Sequence, residues 1–323
     1  YVTGVASTDG KTAVAQGPAG TLNLTVASTN SNSSLRNVGI YVDGELNLEH
    51  SVASSETASA YVTGDWALNN SVNIASADTF IGSAKNLTVN NVQILTGTEK
   101  LTMKAGDSLV LNNAALQSKN MVLQANNDVL LNAGSLTATE GLSVHANRDV
   151  LGGSDDDQNG TVITVQNTAA AHDASALLSA GNKIVLAKGS LTADEAELIA
   201  ATEQADGSAN IMEVYDENAS ANYQIAVSDL TLNGQGISLD SKVNQLQNVI
   251  VDRRSSGTVV IGNGNTTAVY FNVSLGYTSE SDVNEFDGSL TVHNYASGEA
   301  NKIVVNQILG ATGNINLIND ETD

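Results

Sequence analysis

The chain has no cysteine, so it has neither disulfides nor a thiolate metal site. Large exported bacterial proteins often share that absence, because free thiols misoxidise in transit. Pro18 is the sole proline. Long strand ladders tolerate proline poorly, and an irregular, turn-rich domain would carry more. Aromatic residues make up only 4%, with Trp66 the single tryptophan. Compact cores usually use more aromatics, whereas a narrow stack of coils can be filled by Val, Leu, Ile and Ala. Basic residues are scarce, 13 Lys and Arg against 35 Asp and Glu, for a formal charge of −22. Binding nucleic acid, anionic lipid or heparin-like chains needs clustered Lys and Arg, so these partners are disfavoured. No run approaches the ~20 apolar residues of a membrane span, and we expect no membrane insertion. The chain starts at Tyr1 with no basic-then-apolar export signal, so we expect a fragment of something longer.

What the chain does have is a sequence that rhymes with itself. Met103-Lys104-Ala105-Gly106-Asp107 is followed by Leu123-Gln124-Ala125-Asn126-Asn127-Asp128, then by Val144-His145-Ala146-Asn147-Arg148-Asp149. Apolar runs follow each aspartate: Leu109-Val110-Leu111, Val129-Leu130-Leu131 and Val150-Leu151. A period of about 21 residues marks a solenoid whose coils bury their apolar face only against neighbours. Period-two alternation fills the rest, as in Leu22-Asn23-Leu24-Thr25-Val26, Leu87-Thr88-Val89 and Leu290-Thr291-Val292. Asp-Gly and Asn-Gly turns (Asp43-Gly44, Asn233-Gly234, Asp287-Gly288) are too few to pair so many strands as hairpins. We therefore predict an all-β parallel β-helix over 1–323, with Leu123, Leu131, Leu136, Leu142 and Val144 in one lumen. At about 4.8 Å per coil, on the order of 15 coils would make a rod of roughly 70 Å. Polar interruptions at 152–182, 205–222 and 278–288 read as excursions from the stack, the first returning to it through Val162-Ile163-Thr164-Val165. The segment 194–204 has helical propensity, but Leu198 aligns with Leu142, so we expect a coil there.

The pattern apolar-x-Ala-x-x-Asp-apolar-apolar-x-Asn-x-Gly-x-Leu-x-Ala resembles the haemagglutinin repeats of filamentous-haemagglutinin-like adhesins. These are exported across Gram-negative outer membranes by two-partner or autotransporter (type V) secretion. Leu123, Ala125, Asp128, Leu131, Gly134, Leu136, Ala138, Leu142, Val144, Ala146 and Asp149 carry the likeness. It covers about a third of the chain well and the rest loosely. The resemblance implies a right-handed β-helix, a location outside the cell or on its surface, and adhesion or aggregation. The partner would be a host or bacterial surface protein or glycan, or a second copy along the solenoid flank. Like-charged copies should associate more weakly at low salt.

The strongest chemical motif is Asp155-x-Asp157-x-Asn159-Gly160. Alternate oxygens in a loop closed by glycine can wrap Ca²⁺. The twelfth position from Asp155 is Gln166, which cannot supply the bidentate carboxylate, so an acidic surface loop is the competing reading. No other cofactor is indicated. Asp107, Asp128 and Asp149 are expected to make exposed corner turns rather than a catalytic ladder. Asp252-Arg253-Arg254 suits a surface salt bridge. His50, His145, His172 and His293 share no metal spacing. A polysaccharide-cleaving β-helix enzyme is the rival reading, and a self-associating structural stalk a third. Gly-His-Gly and Arg-Ile-Lys signatures that would favour the enzyme are absent, so we expect binding without catalysis.

Overall fold

The computed structural model describes residues 57–69, 77–95, 99–153, 160–167, 174–201, 209–214, 222–252, 255–266, 270–275, 287–296, 302–308 and 311–320. It also gives the backbone course of 3–6, 12–23, 37–47, 52–53 and 74–75. The described residues form strands and turns without a helix, and all but a few strands join one hydrogen-bonded system. Pairing is parallel, except that Thr3–Ala6 runs antiparallel to Thr12–Asn23. The chain is a parallel β-helix.

Each coil contributes three strand segments, which stack into three faces. The first face runs through Asp78–Ser83, Lys100–Ala105, 120–125, 141–146, Ser175–Ala180 and 195–200. The second runs through Trp66–Asn69, Leu87–Asn90, Leu109–Asn112, Val129–Leu131, Asp149–Gly152, Lys183–Leu186 and Ile211–Glu213. The third runs through Gln93–Leu95, 114–118, 134–138, Thr161–Val165, 189–193 and 224–227. The third face passes directly into the first within long strands such as Ala114–Ala125 and Gly134–Ala146, where the register shifts between Ser118 and Asn120.

Alternation decides which side chains enter the lumen. Leu101, Met121, Leu142, Ala176, Ala196 and Leu230 are successive neighbours in one column, and Met103, Leu123, Val144, Leu178, Leu198 and Leu232 in the next. All are at most 4% exposed, so the columns form one dry core. Leu131 and Leu136 lie in the same core, as the 21-residue rhyme predicts. Alanines fill a third column, Ala105, Ala125, Ala146, Ala180 and Ala200, just before the chain turns onto the second face. Only a small side chain fits inside that corner, which explains why alanine is a fixed point of the rhyme.

Gly134 and Gly189 are the other fixed points. Both have positive φ (112° and 115°), and a Cβ on either would collide with a carbonyl oxygen of the adjacent coil, that of Ala114 or Thr161. They open the third face in equivalent coils separated by Thr161. Glycine is thus required by both conformation and space.

Two sequence expectations change. Leu198 is buried in a strand, but it stands in the column of Val144 and not of Leu142. The two-residue offset keeps the same face inward, because the side-chain period is two. Within 152–182 the chain returns to the stack in Thr161–Val165, as expected from 162–165, but Ser175–Ala180 also belongs to the stack, as does Ile211–Glu213 within 205–222. Residues 154–159, 168–173, 202–208, 215–221 and 276–286 lie outside the described residues.

Candidate binding face

The outward side chains build ladders of their own. On the second face, Asn90 Nδ2 donates to Asn69 Oδ1 at 2.8 Å, Asn112 to Asn90 at 2.7 Å, and Asn132 to Asn112 at 2.7 Å. Beside it, Asn113 donates to Asn91 at 2.9 Å, and both residues sit in the left-handed region that asparagine tolerates. Towards the C-terminal end, Asn272 donates to Asn248 at 2.8 Å and Asn248 to Asp229 at 2.7 Å. An amide carries both donor and acceptor, so identical residues one coil apart satisfy each other without net charge.

Charged groups are tied down at particular corners. Lys119 bridges to Glu99 at 2.7 Å, and Asn120 donates to Glu140 at 2.7 Å, closing the corner between the third and first faces in these coils. The aspartate ladder expected from the rhyme needs correction. Leu109 pairs with Val129, so Ser108 aligns with Asp128, and Asp107 falls in the column of Asn127 and Arg148. That one-residue slip puts Asp107 on the exposed side, while Asp128 and Asp149 are only 7% and 8% exposed. Arg148 resolves their repulsion. It grips both oxygens of Asp128, with Nε at 2.7 Å from Oδ1, and lies 3.3 Å from Asp149 Oδ2. Asn182 donates to the other Asp149 oxygen at 2.8 Å.

The lumen holds one buried carboxyl group that the sequence reading missed. Glu213 pairs in register with Leu186, points inward and is 6% exposed. Asn244 donates to its Oε2 at 2.9 Å, while Oε1 and the nearby Tyr223 hydroxyl have no hydrogen-bond partner. Burial pushes the Glu213 carboxyl up to about 8, against the opposing pull of the Asn244 hydrogen bond. Burial also pushes up the Tyr223 hydroxyl, with the Glu213 charge adding to it. Alternation in Ile211-Met212-Glu213 is the signal in the sequence, and it lies inside the polar interval 205–222.

Among the described residues a concavity follows the corner between the third and first faces. Here the paired registers step from Ala193 to Glu195, from Val227 to Asp229 and from Leu246 to Asn248, leaving Asp194, Ser228 and Gln247 at the bend. A break in the ladder re-aims side chains outward, as a bulge does. With Gln166, Gln245 and Tyr270 these residues line a cleft of about 510 Å³. Gln245 and Gln247 are exposed on either side of buried Leu246. Tyr270 is 51% exposed, an unusual position for a large ring. Asn272, also in the lining, is fixed by the ladder to Asn248 and Asp229.

Of the residues singled out from sequence, Asp155, Asp157 and Asn159 lie outside the described residues, as do Arg253, Arg254, His50 and His172. Among the described residues no group of three or more His, Asp or Glu side chains could hold a metal ion. His145 contacts Ser179 and Asn147 through its two ring nitrogens. His293 packs in a tilted arrangement on Tyr295, with ring centroids 3.7 Å apart, and meets Asp320 at 3.1 Å, and the Tyr295 hydroxyl donates to Asp240 at 2.7 Å. Both histidines tie neighbouring coils together. No protein family profile, curated protein or solved structure matches this chain.

Proposed function

We propose that this chain is a segment of a bacterial surface-exposed or secreted adhesin, of the type V exported class, that works by binding and not by catalysis. The supporting observation is the chemistry of the corner cleft. Its polar lining is amides, hydroxyls and a phenol, with Asp194 the single carboxylate among the lining residues. Hydrolysis of a glycosidic bond by the usual route uses a pair of carboxylates facing one another across the scissile bond. A cleft of mostly neutral donors and acceptors, with one carboxylate and an aromatic ring, is suited to holding a ligand. The stacked coils add reach, and weak contacts would gain strength through many copies on a cell surface.

The test displays the protein on cells with and without this segment, measuring adhesion and aggregation, and incubates the chain with a polysaccharide panel. Loss of adhesion on removing the segment, with no new reducing ends or unsaturated sugars, is the expected result. Unchanged adhesion together with cleaved polysaccharide would replace this reading with the β-helix enzyme. Unchanged adhesion and no cleavage would leave a structural stalk.

A further inference from the structure

We propose that the corner cleft is a binding site for a neutral oligosaccharide lying along the helix axis; this names the ligand class of the adhesive reading above and rests on it. Gln166, Asp194, Ser228 and Gln247 stand at the corner in four successive coils, and Tyr270 lies in the next coil one residue before the corner, in line with Leu246. Successive coils are about 4.8 Å apart, a spacing comparable to that of successive sugar rings in a chain. A linear ligand therefore meets an equivalent corner position in four coils and the Tyr270 ring beside the fifth.

The chemistry narrows the class. Sugar hydroxyls both donate and accept, and the amides of Gln245 and Gln247 offer both functions on one exposed edge. Asp194 can accept from two hydroxyls. The exposed ring of Tyr270 supplies a flat apolar surface for the C–H face of a sugar, with a hydroxyl at its tip. Asn272 is already held in place by Asn248, so part of the ordering cost is met before the ligand arrives. An anionic glycan is disfavoured, because the described lining residues include no Lys or Arg and the chain carries a charge of −22. A protein partner would be expected to seat aromatic, aliphatic or Arg anchors in an apolar pocket. The apolar lining here is largely Ala193, Ala226 and Val227, and Ala193 and Val227 are at most 4% exposed.

Calorimetric titration of the 323-residue chain tests this. The probes are neutral hexasaccharides of glucose, mannose, galactose and N-acetylglucosamine, with hexagalacturonate as the anionic control. At least one neutral probe should bind and hexagalacturonate should not. Tyr270→Ala and Gln247→Ala should each weaken that binding by about tenfold, with Tyr270→Phe retaining most of it. Tyr270 and Gln247 are both exposed, so unchanged melting temperatures are expected and would show that the variants fold. Failure of every neutral probe, equal binding of hexagalacturonate, or binding indifferent to both alanine variants would each overturn the site. Loss of adhesion in the cell-display assay without saccharide binding would sink the cleft alone. Saccharide binding with undiminished adhesion would support the cleft and sink the adhesin.

Discussion

Asn112 donates through Nδ2 to Oδ1 of Asn90, 2.7 Å away in the preceding coil. Its own Oδ1 accepts from Asn132 in the following coil at the same distance. An interior rung therefore holds two side-chain hydrogen bonds. Asn112→Ala should cost about 1–3 kcal/mol in urea denaturation, since it removes both bonds and strands the partners. Asn112→Asp should also destabilise, because a carboxylate cannot donate to Asn90. An effect no larger than that of an exposed Asn without a ladder partner would mean the rungs are incidental.

Leu123 is fully buried between Met103 and Val144. Leu123→Ala should destabilise by about 2–5 kcal/mol, through lost transfer energy and the cavity left between coils. The outward neighbour Val122 is a control: Val122→Ala should cost well under half as much. Equal losses at the two positions would contradict the assignment of lumen and surface.

Glu213 makes stability pH-dependent. Burial raises its pKa to about 8 in the folded chain, above the ordinary value of 4.5. Between these values the folded state binds more protons than the unfolded state. This contribution to stability is fully present below pH 4.5, falls as pH rises and is lost through pH 8. Glu213→Gln keeps the shape and removes the titration. Melting temperatures across that window should show a smaller decline in the variant than in the parent chain. Parallel profiles would show that Glu213 is not the titrating group.

Arg148 separates Asp128 and Asp149. Arg148→Met should lower the melting temperature, because two nearly buried carboxylates then face one another. Asp128→Asn in the same background should restore part of the loss. A double variant no better than the single would show that Arg148 acts through packing of its stem rather than its charge.

Much of the fold is legible in the sequence, for a physical reason. A lumen one side chain wide repeats the same steric demand each coil, so Leu123, Ala125, Gly134 and Leu136 are constrained and recur. Positions whose demand differs from coil to coil were less legible. Asp107 reads as a partner of Asp128, yet coils of unequal length shift it by one residue and turn it outward. Glu213 occupies an inward position where neighbouring coils carry leucine, and only the pairing with Leu186 reveals it. The cleft could not be read at all. It is made by Asp194, Ser228 and Gln247, which are far apart in sequence and meet because each sits where its coil bends.

The cleft, the amide ladders and the lumen all depend on one parallel register, which a pair of introduced cysteines can test directly. The parent chain has no cysteine, so the background is clean. Gln117 and Thr137 are registered neighbours on the third face, while Thr192 lies further along the same column, beyond Thr164. Adjacent coils are about 4.8 Å apart, within disulfide range, and three coils are about 14 Å apart, outside it. Under mild oxidation, Gln117→Cys with Thr137→Cys should cross-link within the chain, and Gln117→Cys with Thr192→Cys should remain reduced. A cross-link in the second pair, or none in the first, would contradict the coil register from which the binding face is built.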